Sequence, residues 1–387
     1  MTSFPYAKIL MTADAVGGIW RYSLDLAREL SFHQMETHLA VLGPPPDAEQ
    51  IAEAAAVPGL TLYTSNYRLE WMDDPWEDVE NASVWLKTLY RSIGPDLVHL
   101  NHYCLEPPDG NAPVVMVTHS CIYSWWQAVY GGLPPATYES YFQRVKKGLA
   151  GAHALVAPSA SFAAEIRRIY VPVQEIEVIP NGIREKPLSE ISRENRIVTI
   201  GRIWDKAKNV SLLEEAAPQI PWPLYAVGDR KLDSDGYRSF ERRLHFTGRL
   251  PPVEIHHLLA IHHLLASTAV YVHPALYEPF GLAVLEAAQA GCALVLSDIA
   301  PLRENWEGAA LFFGSSGHKV QLVEVLHQLI QSPSLLAEFQ TKARERAKKF
   351  SMAQTAASYF RLYHRLLTKQ NPNRGQATPP CISSRIV

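Results

Sequence analysis

The chain has 387 residues, of which 47% are apolar and 19% charged, a composition that suits two globular domains of ordinary size. Its net charge of −3 argues against nucleic-acid binding, which normally needs a basic face. There is neither a run of 18 apolar residues nor a signal-peptide pattern, so we expect a cytoplasmic protein without a membrane span.

Short apolar runs alternate with helical patterns along most of the chain, which predicts parallel βαβ units. In the first half the predicted strands are residues 8–12, 37–42, 97–100, 114–118 and 154–157. In the second half they are residues 196–200, 224–227, 244–246, 270–272 and 293–296. The fold class is therefore α/β, with two doubly wound, Rossmann-like parallel-sheet domains whose strand carboxyl ends face one cleft.

The predicted domain limits follow from this alternation. Residues 1–185 form the first domain and residues 186–350 the second, and the Pro- and Gly-containing stretch 180–187 links them. Residues 351–369 have the apolar spacing of a helix. Residues 370–387 are polar and rich in proline, which predicts a disordered tail.

A glycine loop follows the first predicted strand and opens a helix. Gly17 and Gly18 allow a ligand to approach the backbone closely, and a helix start favours phosphate. The loop lacks the Gly-x-Gly-x-x-Gly pattern, which disfavours a nicotinamide cofactor. A purely geometric turn is the alternative.

His119 ends a predicted strand of the first domain, where a side chain reaches the cleft. A structural histidine is the default alternative. The aromatic segment 123–130 follows and is loop-like; its rings could stack on a sugar, rest on a membrane interface or pack in the core.

Basic residues follow the first strand of the second domain. Arg202 and a nearby lysine could clamp two phosphate groups and offset the charge of a leaving group. Lys208 is favoured for this role and Lys206 remains a rival; a solvated turn is the plain alternative.

Two carboxylates flank a predicted helix start after strand 270–272. Glu278 precedes the helix, which is expected to begin near Pro279, and Glu286 lies on its partly buried stripe. The N–H groups of residues 280–282 would face outward with the positive end of the helix dipole, which favours an anion. A sugar or ribose hydroxyl would satisfy the buried carboxylate, whereas two solvent-facing glutamates would be the ordinary alternative.

The segment 271–291 resembles the Glu-x7-Glu signature of retaining glycosyltransferases of family 4, which have the two-domain GT-B architecture. The resemblance extends from Lys8 to about Leu366. It implies that a hexose-type sugar moves, with retained configuration, from a nucleotide diphosphate sugar to a hydroxyl of a glycan, lipid-linked or small-molecule acceptor. It also implies that the last helix returns to the first domain.

The resemblance also implies roles for single residues. Glu278 and His119 would contact the donor sugar, and Arg202 and Lys208 would stabilise the departing diphosphate. The further donor-binding residues that it implies are Gly17, Gly18, Leu250, Phe280, Gly281, Leu282 and Glu286. The implied partners are the nucleotide-sugar donor and the acceptor, with peripheral membrane contact as an open option. No cofactor and no obligatory metal are expected, because an Asp-x-Asp sequence at 233–235 is more typical of a turn.

One departure is a tandem duplication, because residues 255–260 and 261–266 are identical. Six extra residues turn a helix by about 600°, so the helix must lengthen or bulge. Adjacent histidines do not face one another, which disfavours a metal site there. Two alternatives to the glycosyltransferase function stay open: a sugar-nucleotide epimerase of the same architecture, and a non-catalytic protein that binds sugar nucleotides.

Overall fold

The structure is a computed structural model that describes residues 6–185, 191–228, 244–248, 257–314 and 318–370. Within these ranges it contains two parallel β-sheets, each covered by helices on both faces. The fold class predicted from the alternating pattern is confirmed. None of the helices in these ranges combines the length and apolarity that crossing a bilayer requires.

The first domain is built around a sheet with strand order β3-β2-β1-β4-β5-β6-β7. Its elements in chain order are β1 (Ala7–Asp14), α1 (Gly18–Ser31), β2 (Met35–Leu42), α2 (Ala48–Ala55), β3 (Leu60–Thr64), α3 (Trp76–Ile93), β4 (Leu97–Leu100), β5 (Val114–Val117), α4 (Ile122–Tyr130), α5 (Glu139–Gly151), β6 (Ala154–Ala157), α6 (Ala160–Tyr170) and β7 (Ile176–Val178). The order reverses beside β1 and β4, the kind of position at which such sheets bind ligands.

The second domain has the strand order β10-β9-β8-β11-β12-β13 in its described part. Its elements are β8 (Glu194–Ile200), α7 (Val210–Ala216), β9 (Leu224–Val227), β10 (Leu244–Gly248), α8 (His257–Ala266), β11 (Thr268–His273), α9 (Leu282–Ala290), β12 (Ala293–Ser297), α10 (Ala300–Trp306), β13 (Leu311–Phe313), α11 (Lys319–Gln331) and α12 (Pro333–Ala347). Here the order reverses between β8 and β11, so the loops after these two strands meet at one edge.

The last helix, α13 (Met352–Gln370), packs on the first domain, as the resemblance implies. Tyr359, Leu362 and Tyr363 are fully buried in the core that also contains α1 and strands β1 and β2. The segment predicted as a linker is tied to the start of this helix, because Ile183 accepts a hydrogen bond from the N–H of Met352. Burial of the apolar face of α13 therefore holds this helix against the first domain.

Two local predictions were wrong. The aromatic segment expected as a loop forms helix α4, which Gly131 ends in the left-handed conformation at φ 76°. Helix α9 begins at Leu282 rather than near Pro279, because Gly281 precedes it at φ 93° and serves as its N-cap. The free N–H groups of this helix therefore start at Leu282, and Phe280 and Gly281 belong to the preceding turn.

Candidate functional site

The glycine loop of the first domain touches the second domain directly. Gly17 is the N-cap of α1 in an extended conformation, and Gly18 is its first residue. A Cβ atom at Gly18 would stand 3.1 Å from Leu282 Cδ1, whereas one at Gly17 would have no neighbour within 4 Å. The loop after β1 and the start of α9 thus face each other across the cleft, which is the juxtaposition that the sequence implied.

The first wall of the cleft is a buried polar cluster at the carboxyl ends of β1, β4 and β5. Asp14 accepts a hydrogen bond from the N–H of Val16 at 2.9 Å, and its Oδ2 lies 3.7 Å from Nε2 of His102. Burial favours a raised pKa for Asp14, but His102 and Arg202 outweigh it and hold that pKa below its usual value. Arg202 belongs to the second domain, so its charge acts across the cleft.

His119 belongs to the same wall. Its Nε2 lies 2.8 Å from Asn101 Oδ1, and the Tyr22 ring meets it edge-on at 4.8 Å between centroids. Burial lowers the pKa of His119 to about 3, so the imidazole is neutral at physiological pH. A neutral ring can exchange hydrogen bonds with a sugar hydroxyl without repelling a developing positive charge.

The loop after β8 carries the basic residues of the second wall. Asp205 organises it, because its carboxylate accepts from the N–H of Ala207 at 3.0 Å and from Arg202 Nη2 at 3.1 Å. Trp125 Nε1 of the first domain donates to the same carboxylate at 3.1 Å. The guanidinium of Arg202 is therefore oriented by its own loop and remains largely exposed.

Lys208 and Lys206 point in different directions. Lys208 Nζ lies 2.6 Å from Glu278 Oε2, with both side chains mostly buried. Lys206 is exposed and donates to the hydroxyl of Tyr130 at 3.1 Å. Both lysines belong to one short turn, Lys206–Lys208, which Asn209 ends in the left-handed conformation at φ 51°. Of the two rivals, the structure brings Lys208 to the carboxylate.

Glu278 is held by two partners, because His273 Nε2 donates to the same oxygen at 3.1 Å. Burial by itself would raise the pKa of Glu278, but Lys208 and His273 overcome it and keep the pKa well below its usual range. Burial also lowers the pKa of His273, against the opposing effect of Glu278. Glu278 is therefore an anion at neutral pH, with one oxygen engaged by Lys208 and His273.

The start of α9 lies directly behind Glu278. Phe280 is buried, Leu282 is half-buried, and Glu286 is half-buried one turn further along the helix. The partial burial predicted for Glu286 agrees with this. Leu250, which was assigned to the donor site, and the Asp-x-Asp sequence 233–235 lie outside the described residues.

A further contact joins the two domains beside the cluster. The hydroxyl of Tyr277 accepts hydrogen bonds from the N–H of Cys121 and from Ser124 Oγ, each at 2.9 Å. On the same side, the carboxylate of Glu304 accepts from the N–H groups of Ala160 and Ser161 at the start of α6. The loop that carries Glu278 is thereby fixed to the first domain.

A cavity of about 330 Å³ opens in this interdomain groove. Glu278 and Tyr277 belong to its lining, together with residues of α4, α6 and the start of α10. Arg202, Lys208 and His119 do not line this cavity, so it borders the polar cluster at Glu278.

Sequence reasoning missed five polar residues of the site, namely Asp14, Asn101, His102, Asp205 and His273. Four of them lie within two residues of the end of a predicted strand, so the rule that selected His119 would also have selected them. Asp205 had no such signal, since its role depends on a turn whose shape the sequence did not specify.

Two facing, Rossmann-like parallel-sheet domains define the GT-B class of fold. The model described as Glycosyltransferase Family 4 matches residues 16–186, and the one described as Glycosyl transferases group 1 matches residues 194–332. The chain belongs to glycosyltransferase family 4.

Relatives agree with this assignment. The glycogen synthase of Mycobacterium tuberculosis is 29% identical over 253 residues, which are 59% of this chain and 56% of the relative. The chain thus matches little more than half of that protein.

Among solved structures, the sucrose-phosphate synthase of Thermosynechococcus elongatus superposes with a TM-score of 0.74 at 20% identity, covering 94% of this chain and 100% of the other. The Anabaena protein HepE, solved with UDP and glucose, superposes with a TM-score of 0.71 at 16% identity, covering 93% and 100%. At such identities these two likenesses describe the fold.

Proposed function

We propose that this chain is a retaining glycosyltransferase that transfers a hexose-type sugar from a nucleotide diphosphate sugar to an acceptor hydroxyl. Family membership supports the reaction class, and the fold shared with a protein solved with UDP supports a nucleotide donor. The observation that carries the proposal is the contact of Lys208 with Glu278 at the ends of the strands, opposite the glycine loop.

In this proposal the second domain binds the donor diphosphate. Arg202, which is exposed and oriented by Asp205, contacts one phosphate group, and Lys208 contacts the other. An ammonium group has three N–H donors, so Lys208 can keep Glu278 and still donate to a phosphate oxygen. Both cations would offset the charge that develops on the leaving diphosphate.

The backbone of residues 280–282 adds neutral donors. Gly281 takes the left-handed conformation at φ 93° just before α9, whose free N–H groups begin at Leu282 and would donate to a phosphate oxygen. Glu286 would hold the ribose from its half-buried position one turn further along. Gly17 and Gly18 would close over the diphosphate from the first domain, and Leu250 would line the base.

The sugar lies between Glu278 and His119 in this arrangement. Glu278 retains one oxygen for a sugar hydroxyl, because Lys208 and His273 both bind the other. His119 stays neutral and so adds no positive charge as the sugar becomes cationic. We assign no protein nucleophile; the acceptor attacks from the leaving-group face, and a phosphate oxygen of the donor takes its proton.

The reaction needs no metal in this proposal, since Arg202 and Lys208 supply the positive charge. The acceptor is a glycan, a lipid-linked sugar or a small molecule, and the aromatic residues of α4, of which Tyr130 is exposed and the others half-buried, would contact it or a membrane surface. We place the reaction in the cytoplasm.

The test is a donor panel. UDP-, GDP- and ADP-sugars are each incubated with the purified chain, and release of nucleoside diphosphate is followed with and without a mixture of sugar acceptors. The proposal expects release from one donor class, faster with acceptor, and a product with the donor's anomeric configuration. A free epimer would instead indicate an epimerase, and binding without release would indicate a non-catalytic protein.

A further inference from the structure

A chain of hydrogen bonds connects the last helix to the cleft. The hydroxyl of Tyr363 lies 2.5 Å from His99 Nδ1, and His99 Nε2 lies 3.0 Å from Asn101 Oδ1. The same amide oxygen lies 2.8 Å from His119 Nε2. Tyr363, His99 and Asn101 are all buried, so water does not compete for these contacts.

Thr12, which is not part of this series of hydrogen bonds, fixes the orientation of the Asn101 amide group. The side-chain Nδ2 of Asn101 lies 2.6 Å from the backbone oxygen of Thr12, and the backbone N–H of Asn101 donates to Thr12 Oγ1 at 2.9 Å. A backbone oxygen can only accept, so the amide nitrogen must face it and the amide oxygen must face the two imidazoles. That oxygen can also only accept, so both imidazoles must carry a hydrogen on Nε2.

The second nitrogen of each ring is then determined. His99 Nδ1 has a lone pair and accepts from the Tyr363 hydroxyl. For His119, none of the described residues bonds to Nδ1, and this nitrogen is not enclosed by protein. We infer that Asn101 is a positioning residue that holds His119 as the Nε2–H tautomer, so that Nδ1 accepts a hydrogen bond from a substrate hydroxyl. The substrate part of this inference rests on the proposed function.

The surroundings of His119 keep the ring neutral as well. The titratable groups that face it are Asp14 from β1, Tyr22 from α1, and His99 and His102 from β4 and the loop after it. Burial is the main reason for its low pKa of about 3; His99 and His102 reinforce this effect, and Asp14 opposes it. The imidazole of His119 is thus neutral at physiological pH.

The experiment reads the tautomer directly, by nitrogen NMR of the full chain with ¹⁵N-labelled histidine. The His119 signals are assigned by their loss in His119→Gln. We expect a pyrrole-like signal from Nε2 and a pyridine-like signal from Nδ1, both constant from roughly pH 5 to pH 8. The opposite tautomer, a mixture, or a ring that titrates in this range would overturn the inference.

Variants then test whether Asn101 sets this state. Asn101→Leu should give His119 a mixture of tautomers and lower kcat by about 100-fold, because small misplacements of a reacting group cost that much. Asn101→Asp keeps an oxygen that accepts from Nε2–H, and its protonated carboxyl can still donate to the backbone oxygen of Thr12, so it should preserve the tautomer. If Asn101→Leu does not fold, the tautomer of His119 in Asn101→Asp and in the native chain still tests the inference.

The matched control is Asn305→Leu, which removes another buried amide, at the end of α10 in the second domain. It should leave the His119 signals unchanged. An unchanged tautomer in Asn101→Leu would contradict the positioning role. Because the spectra are recorded without donor, a failed donor panel would refute the proposed function and leave the tautomer result intact.

Discussion

The most informative perturbation compares two lysines that are two residues apart in one turn. Lys208→Gln removes the ammonium group that lies 2.6 Å from Glu278, whereas Lys206→Gln removes an exposed ammonium group that contacts Tyr130. Both changes alter the net charge equally and leave the length of the side chain similar. A difference between them therefore reports position rather than charge.

The magnitude follows from burial and distance. The side chain of Lys208 is only 18% exposed, so water screens its charge weakly. A unit charge about 4 Å away is worth about 4 kcal/mol at an effective dielectric constant near 20. Removing one donor from a developing charge typically costs about 100- to 1,000-fold in kcat, about 2.7–4 kcal/mol. We expect that loss for Lys208→Gln.

For Lys206→Gln we expect a loss below about fivefold, because exposed charge contacts are worth under about 1 kcal/mol. The assay is release of nucleoside diphosphate under saturating donor, with circular dichroism as a check on folding. Equal losses in the two variants, or a folded Lys208→Gln with full activity, would refute the reasoning.

Three further predictions concern stability, closure and pH. Gly148→Ala should lower the free energy of unfolding by about 3 kcal/mol despite the better helix propensity of alanine, because the new methyl group would stand 1.9 Å from the backbone oxygen of Tyr103. The control is Gly151→Ala on the same helix, whose methyl group would meet the ring of Pro107 at 3.3 Å and should be nearly neutral. Equal effects of the two changes in thermal unfolding would contradict this prediction. Tyr277→Phe removes the hydroxyl that accepts two interdomain hydrogen bonds, so kcat/KM should fall about tenfold. Small-angle scattering should then show a more open arrangement of the two domains. An unchanged rate and shape would count against a role of Tyr277 in domain closure. The pKa of Glu278 is lowered by folding, so its contribution to stability is present above its unfolded pKa of about 4.3 and is lost as pH falls further. The difference in melting temperature between the native chain and Lys208→Gln should therefore be largest near neutral pH and shrink in acid, and a difference that widens in acid would disprove it.

The interior of the fold was predictable because central strands are apolar on both faces. The missed strands β3, β7 and β13 are edge strands of three to five residues. One side of an edge strand meets solvent, so β3 is a mixture of half-buried and exposed positions and shows no continuous apolar run. Short edge strands thus give too little pattern for recognition.

The site was predictable where strand ends determine it and unpredictable where turns do. His119 follows from the position of β5 alone. The choice between Lys206 and Lys208 depended on their tertiary partners, because Lys206 meets Tyr130 and Lys208 pairs with Glu278, 70 positions further along the chain. Helix α9 begins three residues later than predicted, because Gly281 adopts a left-handed conformation that the apolar pattern does not encode.

The central claim is that a diphosphate binds between the basic loop after β8 and the start of α9. A crystal structure of the chain with the nucleoside diphosphate product tests it most directly. We predict phosphate oxygens within hydrogen-bond distance of Arg202, Lys208 and the backbone N–H groups of residues 280–282. A diphosphate bound elsewhere, with the contact of Lys208 and Glu278 undisturbed and remote from it, would contradict the account.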